Sequence, residues 1–302
     1  MSTRVLRHES FRDKVGEALE SAGESRLQTP REGDCVRLGH ATASTSSIEN
    51  TRVTNVAGSV RTLRGSVRLL SAFKYERRDP DRFYRQLADN TVSLVGQFFP
   101  LRGARVIDVG GGPGDLAEAF RNAGSQAITV DVDWEEMHCR PRRLEGAILA
   151  DGRRLPLPDC SMDLGCISNV LEHVAEPMEL VEDMVRIVRP GGIVFVNFTI
   201  WLSPFGGHET APWHLFGAER AEARYAAKHG SPPKNRMGST LFRVGVGEFL
   251  HAVRQIDGVH VVDAFPRYFP RWTRPIVRVP GIREVATLNL AVVLGRDQPA
   301  HR

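Results

Sequence analysis

The feature that most constrains the fold is a regular alternation of short apolar runs with amphipathic segments between residues 105 and 199. Short apolar runs are typical of strands buried in a parallel sheet, and amphipathic segments of helices that cover it. Such an alternation predicts βαβ units. The predicted strands are Arg105–Val109, Ala127–Asp131, Ala147–Ala150, Asp163–Ser168, Ile193–Thr199, Val259–Ala264 and Thr287–Leu294. We therefore predict an α/β fold with a doubly wound, mostly parallel seven-stranded sheet of the Rossmann-like type.

Helix signals mark the elements between these strands. Asp79-Pro80 predicts a helix start, and that helix extends to Pro100. A helix over Asp115–Ala123 is predicted to have Asp115 as its N-cap and to end at Gly124. Another begins at Pro177, a favoured first position, and ends at the segment Pro190-Gly191-Gly192, which precedes the fifth strand.

Two segments depart from the alternation. Residues 1–59 are predicted to form an N-terminal extension that is largely flexible, apart from a short helix within residues 1–20. The main domain is predicted over residues 60–302. Within it, residues 201–246 are rich in aromatic residues, histidine, proline and glycine, and are predicted to form a cap over the substrate.

Composition excludes several classes of protein. No run of 18 apolar residues exists, so no membrane span is expected, and the first residues lack the apolar core of a secretory signal. The net charge of +4 is too small to indicate a nucleic-acid partner. The four cysteines form no C-x-x-C pair, and we expect reduced thiols in a cytoplasmic protein.

A glycine-rich turn follows the first predicted strand. Gly110, Gly112 and Gly114 lack side chains, which lets the backbone approach a ligand closely. Asp131 ends the second strand, 21 residues beyond Gly110, where a carboxylate can accept both hydroxyls of a ribose. The alternative role of Asp131 is to cap the turn that follows it. The pattern favours a nucleotide-like ligand at this edge of the sheet.

Two kinds of nucleotide ligand fit a turn of this type. A dinucleotide-binding G-x-G-x-x-G motif needs a third glycine beside the pyrophosphate. Counted from Gly110 and Gly112, that position is Asp115, whose carboxylate would repel a pyrophosphate. S-adenosylmethionine (SAM) carries no phosphate and has a cationic sulfonium and amino group. Asp115 therefore favours SAM, with an NAD-dependent oxidoreductase as the alternative.

Four phrases, in this order and spacing, resemble the motifs of class I methyltransferases of the UbiE/methyltransferase-11 type. They are VIDVGGGPGDLA, TVDVD, DGRRLPLPDCSMDLGCISNVLEHV and VRIVRPGGIVFVNF, and together they cover about residues 104–200. The wider stretch from Ser66 onward is similar to an actinobacterial branch of uncharacterised methyltransferases. The resemblance implies a SAM-dependent methyltransferase whose sheet ends in an antiparallel strand.

The resemblance also implies a role for individual residues. The methionine end of SAM is assigned to Asp108, Gly110, Gly111, Gly112 and Gly114. Asp131 is assigned to the ribose, and Val132 to packing on the adenine. Asp151, with Gly152 beside it, is expected to accept the adenine amino group. Asn169, just past the fourth strand, is expected to line the site of methyl transfer.

Methyl transfer to a hydroxyl needs a base, for which histidine is the usual candidate. His208 follows the fifth strand closely, and we predict that it is the base with Glu209 orienting it. The alternative is that these residues only hold a tight loop together. His173 is a further candidate, with support of the cofactor pocket as its alternative role. We expect no metal site, because His208 and His214 are six residues apart with Pro212 between them, unlike an H-E-x-x-H zinc motif.

The acceptor is less constrained than the cofactor. We predict a small molecule, methylated on an oxygen of a secondary metabolite, sugar or lipid-like compound. A weak contact with an anionic substrate or a surface is possible through Arg267, Arg271, Arg274 and Arg278, unless this stretch is only a solvated connector. A SAM-binding regulatory module without catalysis is the alternative function. The sequence does not indicate an oligomeric state.

Overall fold

The computed structural model describes residues 62–75, 78–140 and 145–298. The predicted helix within residues 1–20 and the 1–59 extension fall outside the described residues and stay predictions. The assignment of residues 60–302 to one domain with a cap at 201–246 also stays a prediction.

A seven-stranded sheet forms the centre of the described chain. Its strands are β1 (Arg105–Val109), β2 (Gln126–Asp131), β3 (Ala147–Leu149), β4 (Met162–Ser168), β5 (Val188–Thr199), β6 (Val259–Pro266) and β7 (Asn289–Arg296). They lie in the order β3-β2-β1-β4-β5-β7-β6. β7 is antiparallel to both of its neighbours, and the other pairs are parallel. The predicted fold class, including the antiparallel last strand, is confirmed.

Helices connect the strands and cover the sheet. They are α1 (Leu63–Ala72), α2 (Pro80–Val95), α3 (Asp115–Asn122), α4 (Trp134–Met137), α5 (Pro177–Ile187), α6 (Ala218–His229), α7 (Val246–Ala252) and α8 (Ile282–Ala286). Shorter 3-10 turns include Leu171–His173, His208–Thr210, Trp213–Phe216 and Arg271–Arg278. The predicted starts of α2, after the cap Asp79, and of α5, at Pro177, are confirmed.

The strands bury side chains on both faces of the sheet because successive residues of a strand point to opposite sides. Val106 in β1 belongs to the core that α2 and α3 cover, together with Phe120 of α3. Its neighbour Ile107 belongs to the core that α5 and α7 cover, together with Met184 and Phe249. These two cores fix the strand ends, on which the site described below depends.

The start of α3 differs from the prediction. The cap position is Gly114, with a φ of 78°, and Asp115 is the first residue of the helix. The Asp115 carboxylate pairs with Arg140, whose Nη1 lies 2.7 Å from Oδ2. The positive φ explains the difference, because glycine adopts it without steric cost. Asp115 is therefore not the N-cap.

β5 also begins earlier than predicted. The segment Pro190-Gly191-Gly192 was expected to precede the strand, but the strand already begins at Val188 and includes it. Met162 pairs with Val188 and Leu164 with Ile193, so the register shifts between these two pairs. The glycines are accommodated by this irregularity, which sequence patterns do not reveal.

The cysteines are not all reduced thiols. Cys166 is buried and free, and Cys139 is exposed and free. Cys160 is disulfide-bonded, which corrects the expectation for that residue. None of the helices in the described part of the chain combines the length and apolar character needed to cross a lipid bilayer.

Asp163 links the starts of three central strands. Its carboxylate accepts hydrogen bonds from the Arg105 backbone N–H at 2.7 Å and from the Arg105 and Arg189 guanidinium groups. Burial raises the pKa of Asp163, but the hydrogen bonds from Arg105 and Arg189 outweigh it, so the pKa lies below its ordinary value of 3.8. The charged form therefore stabilises the fold.

We expect Asp163→Asn to lower the free energy of unfolding by about 1–2 kcal/mol at pH 7, since both arginines are partly exposed and solvent screens the charges. The difference in the free energy of unfolding between the variant and the wild type should have its full size above pH 3.8. It should shrink as the pH falls through the lower pKa that Asp163 has in the folded protein, where its carboxylate takes up a proton. Urea denaturation at several pH values measures it. Asp89→Asn, on the exposed face of α2, is the control. Equal loss in both variants would contradict the assignment.

Candidate active site

The carboxyl ends of β1, β2 and β4 meet at one edge of the sheet. β1 lies between the other two, with Val109 opposite both Val130 of β2 and Ile167 of β4. Ligands of open α/β sheets bind at this edge, where neighbouring strands continue to opposite faces. The predicted cofactor residues follow these strand ends.

The glycine turn after β1 has room only for glycine at two positions. A Cβ atom on Gly111 would lie 2.2 Å from Thr129 Oγ1 and 2.3 Å from Asp108 Oδ2. Gly110 has a φ of 69°, and a Cβ atom on it would lie 2.3 Å from Val170 Cγ2. Val170 therefore packs directly on the turn, which connects the end of β4 to the glycine segment.

Asp108 is a buried acid with an unsatisfied oxygen. The residue is 2% exposed, and its Oδ2 atom has no hydrogen-bond partner. Burial raises the pKa of Asp108 well above its ordinary value, and the negative charges of Asp131 and Asp115 raise it further. A cationic ligand group beside Asp108 would supply the missing partner and stabilise the charged carboxylate.

The carboxylate of Asp131 is fixed by two backbone amides. Its Oδ2 accepts from Gly112 N–H at 2.8 Å, and its Oδ1 accepts from Asp133 N–H at 2.9 Å. Each carboxylate oxygen can accept a further hydrogen bond. Asp131 therefore joins the end of β2 to the glycine turn, and its oxygens are positioned for a pair of ligand hydroxyls.

The residues assigned to the adenine differ in how free they are to contact a ligand. Val132 is 72% exposed at the end of β2, so its side chain is open to a ligand. Asp151 forms an ion pair with Arg153 at 2.7 Å, and the hydrogen bond from Arg153 lowers its pKa. Gly152 is required by packing, because a Cβ atom there would lie 2.6 Å from Val109 Cγ1. An adenine amino group would share Asp151 with Arg153.

The side chain of Asn169 is used inside the protein. Its Oδ1 accepts hydrogen bonds from Asn289 at 2.8 Å and Asn197 at 3.1 Å, and both of these residues are fully buried. Asn169 has a φ of 56°, which turns the chain sharply after β4. The observed contacts of its Oδ1 fix the end of β4, and the expected contact of Asn169 with the site of methyl transfer stays a prediction.

Three polar side chains lie close together just after the turn at Asn169. The rings of His173 and His208 lie with their centroids 5.0 Å apart, and the ligand atoms of Glu172, His173 and His208 all lie within 4.8 Å of one another. Glu172 is 1% exposed. Burial lowers the pKa of His208 to about 4, to which the neighbouring His173 contributes. We call these three residues the Glu-His-His cluster.

The polar residues near His208 have hydrogen-bond partners of their own. Both oxygens of Glu209 accept hydrogen bonds from Asn235 Nδ2 at 3.0 Å, and the negative charge of Glu209 raises the pKa of His208 against the effect of burial. The prediction that Glu209 orients His208 stays a prediction. The buried His214 hydrogen-bonds through Nε2 to the Trp201 carbonyl oxygen at 2.9 Å. Glu172 was missed by the sequence analysis, although an acid beside His173 in an otherwise apolar turn was a visible signal.

The four arginines named from the sequence do not form one surface. Arg267 is only 3% exposed, and its guanidinium donates to Thr91 Oγ1 at 2.6 Å and to Ser168 Oγ at 3.3 Å. A surface contact through Arg267 is therefore wrong. Arg274 forms an ion pair with Asp263 at 2.6 Å. Arg271 and Arg278 are exposed, and their proposed contacts stay predictions.

Comparison with known proteins decides the family. A family profile described as "Methyltransferase domain" matches residues 107–196. An uncharacterized methyltransferase of Mycobacteroides abscessus is 44% identical over 255 residues, which cover 80% of this chain and 98% of the relative. The chain is a methyltransferase of this family. A second uncharacterized methyltransferase, from Mycolicibacterium gilvum, is 46% identical over 243 residues, which cover 77% of this chain and 94% of the relative.

Among solved structures, a TehB-like SAM-dependent methyltransferase from Corynebacterium glutamicum is similar, with a TM-score of 0.46 and 16% identity. The match covers 77% of this chain and 98% of that chain. None of these three proteins has a name that states a methyl acceptor.

Membership of the family makes this methyltransferase a SAM-dependent enzyme, and the oxidoreductase and the regulatory-module alternatives are set aside. The residues present fit SAM. The unpartnered oxygen of Asp108 suits the cofactor's ammonium group. The close packing at Gly110 and Gly111 keeps the turn free of side chains, and Asp131 suits the ribose hydroxyls. These individual contacts stay predictions.

Proposed function

We propose that this methyltransferase transfers the methyl group of SAM to an oxygen of a small-molecule acceptor. The acceptor is a secondary metabolite, a sugar or a lipid-like compound, bound between the glycine turn and the segment 201–246. The observation that carries the proposal is the position of the Glu-His-His cluster directly beside the turn assigned to the cofactor.

Val170, which contacts the glycine turn, lies only three residues before His173 of the Glu-His-His cluster. Val170 packs on Gly110, and the His173 backbone N–H donates to the Val170 carbonyl oxygen at 2.8 Å. His208 reaches the same place from the segment after β5 and has a φ of 50°. Its Nε2 atom is buried and has no hydrogen-bond partner. These contacts support an acceptor site beside the turn assigned to the methionine end of SAM.

SAM supplies an electrophilic methyl group on a cationic sulfur. The acceptor oxygen would form the new O–C bond as the C–S bond breaks, the electron pair of the C–S bond would stay on sulfur, and the hydroxyl proton would have to leave the oxygen. The protein holds the two reactants in line and excludes water, which accounts for much of the rate of such displacements. His208 is assigned to the acceptor oxygen, and uptake of the proton by its ring stays a prediction.

The segment 201–246 supports an acceptor with apolar surface. Phe205, Trp213 and Phe216 are exposed, and a cleft of about 230 Å³ lies between the last two and Arg224. Trp201 is buried with its ring against His214, so its role is packing inside the protein and not contact with an acceptor. A cleft lined by aromatic side chains is typical of sites that bind a largely apolar small molecule.

Methylation of a panel of compounds tests the proposal. The purified enzyme is incubated with SAM carrying a labelled methyl group and with hydroxyl-bearing metabolites, sugars and lipids, and the products are analysed by mass spectrometry and NMR. We expect label on an oxygen of at least one compound. Label found only on nitrogen or carbon would refute the oxygen acceptor. No label with any compound, although SAM binds, would count against the small-molecule class.

A further inference from the structure

We propose that the Glu-His-His cluster binds one divalent transition-metal ion, such as Zn²⁺, through Glu172, His173 and His208. This inference rests on the proposed function and assigns the means by which the acceptor oxygen is activated. His208 and His214, six residues apart in the sequence, do not have the spacing of a zinc motif. The fold instead brings the 3-10 turn after β4 against the 3-10 turn that begins at His208.

Two of the three side chains are held in the way that metal ligands usually are. Metal-bound residues commonly use one polar atom on the ion and tie the other to the protein. His173 Nδ1 lies 2.8 Å from the Thr240 carbonyl oxygen, which leaves Nε2 for a ligand. Glu172 Oε1 accepts from the Thr199 backbone N–H at 2.9 Å, which leaves Oε2.

Two of the three proposed ligand atoms are buried and have no hydrogen-bond partner. Glu172 Oε2 and His208 Nε2 are both inaccessible to solvent and make no hydrogen bond. The Glu172 residue is only 1% exposed, and no described residue forms an ion pair with its carboxylate. A buried carboxylate oxygen without a partner is costly. A cation bound between the two histidines and Glu172 would satisfy both atoms at once.

The distances suit one ion after a small adjustment. The three ligand atoms lie within 4.8 Å of one another. Ligand atoms at about 2.1 Å from one zinc ion are about 3.4 Å apart in a tetrahedral site, so closure by at most about 1.4 Å brings them into range. Two histidines and one carboxylate leave a coordination position open, as in catalytic metal sites.

The open position is where the acceptor oxygen would bind. A hydroxyl coordinated to a divalent cation would lose its proton more readily. The proton would pass to bulk water as the acceptor binds, before water is excluded, and the resulting oxygen anion would then attack the methyl carbon. With an ion present, His208 acts as a ligand rather than as a proton acceptor. The acceptor is then a compound whose hydroxyl can reach a metal ion, such as a phenol or a hydroxyl next to a carbonyl group.

Metal titration tests the inference without any acceptor. The protein is stripped with a chelator and titrated with Zn²⁺ in a calorimeter, and with Co²⁺ while the visible absorption is recorded. We expect one ion per chain. His173→Ala, His208→Ala and Glu172→Gln should each raise the dissociation constant at least about tenfold. Glu172→Gln keeps the Oε1 acceptor for Thr199, and the histidine variants keep the inference testable if it does not fold.

Two control variants remove similar side chains outside the cluster. His229→Ala and Glu219→Gln, both at exposed positions of α6, should bind the ion like the wild type. Zn²⁺ binding far below one ion per chain, or equal binding by the cluster variants and the controls, would overturn the inference. SAM affinity of the stripped protein is measured in parallel. Retained SAM binding and unchanged oxygen methylation without metal would refute the metal's role and leave the proposed function standing.

Discussion

Replacing His208 by alanine is expected to lower kcat by about 10²–10⁴-fold, the usual range for a side chain that assists proton removal. The affinity for SAM should stay within about twofold, because His208 belongs to the segment after β5 and not to the glycine turn. Turnover is measured with the acceptor found in the labelling experiment, and the dissociation constant of SAM by calorimetry. The reason is geometric: the Nε2 atom is buried, has no partner, and lies next to His173.

His229→Ala is the matched control for this substitution. His229 ends α6, where its ring stacks on Tyr225 with centroids 4.3 Å apart, and it is exposed. We expect its kcat to equal that of the wild type. Full turnover by His208→Ala would remove His208 from the acceptor site. A loss of SAM binding in that variant would instead show that His208 supports the cofactor.

Asp131→Ala is expected to weaken SAM binding by about 1.5–3 kcal/mol, the scale of hydrogen bonds to a charged group, which is about ten- to hundredfold in the dissociation constant. The substitution removes the predicted acceptors for the ribose hydroxyls and also the two hydrogen bonds from Gly112 N–H and Asp133 N–H. Asp131→Asn keeps one oxygen acceptor, so its loss should be smaller. Calorimetry with SAM and with its demethylated product measures both variants.

Asp133 provides a control two residues away. Its carboxylate accepts from the backbone N–H groups of Glu135 and Glu136 and caps α4. Asparagine is an equally good cap, so Asp133→Asn should bind SAM like the wild type. Unchanged affinity in a folded Asp131→Ala protein would refute the ribose assignment and confine Asp131 to its bonds within the glycine turn.

The order of the strands along the chain was predictable because each strand leaves a local pattern. β1 has the predicted bounds, and β2 and β4 each begin one residue earlier than predicted. The starts of α2 and α5 were predictable for the same reason, since a cap or a proline marks them within one turn. The glycine turn and Asp131 were also visible, because their spacing reflects one strand, one turn and one helix.

Errors arose where a residue's role depends on a distant partner. Asp115 was predicted to be a cap, but the left-handed backbone of Gly114 and the guanidinium of Arg140 give it another role. Arg267 was expected at the surface, yet the end of β6 places it against Thr91 and Ser168, far away in the sequence. The burial of a single residue such as Arg267 depends on tertiary packing. The periodicity of the sequence does not predict it.

The sequence by itself determined the class of fold, the cofactor and the family, because strand periodicity, the glycine turn and the motif order are local properties of the chain. The tertiary structure decided which polar groups form the Glu-His-His cluster. Glu172 and His208 are 36 residues apart, with β5 between them, and they meet because β5 lies beside β4 in the sheet. That adjacency results from the two cores that hold the sheet, which depend on contacts along the whole domain.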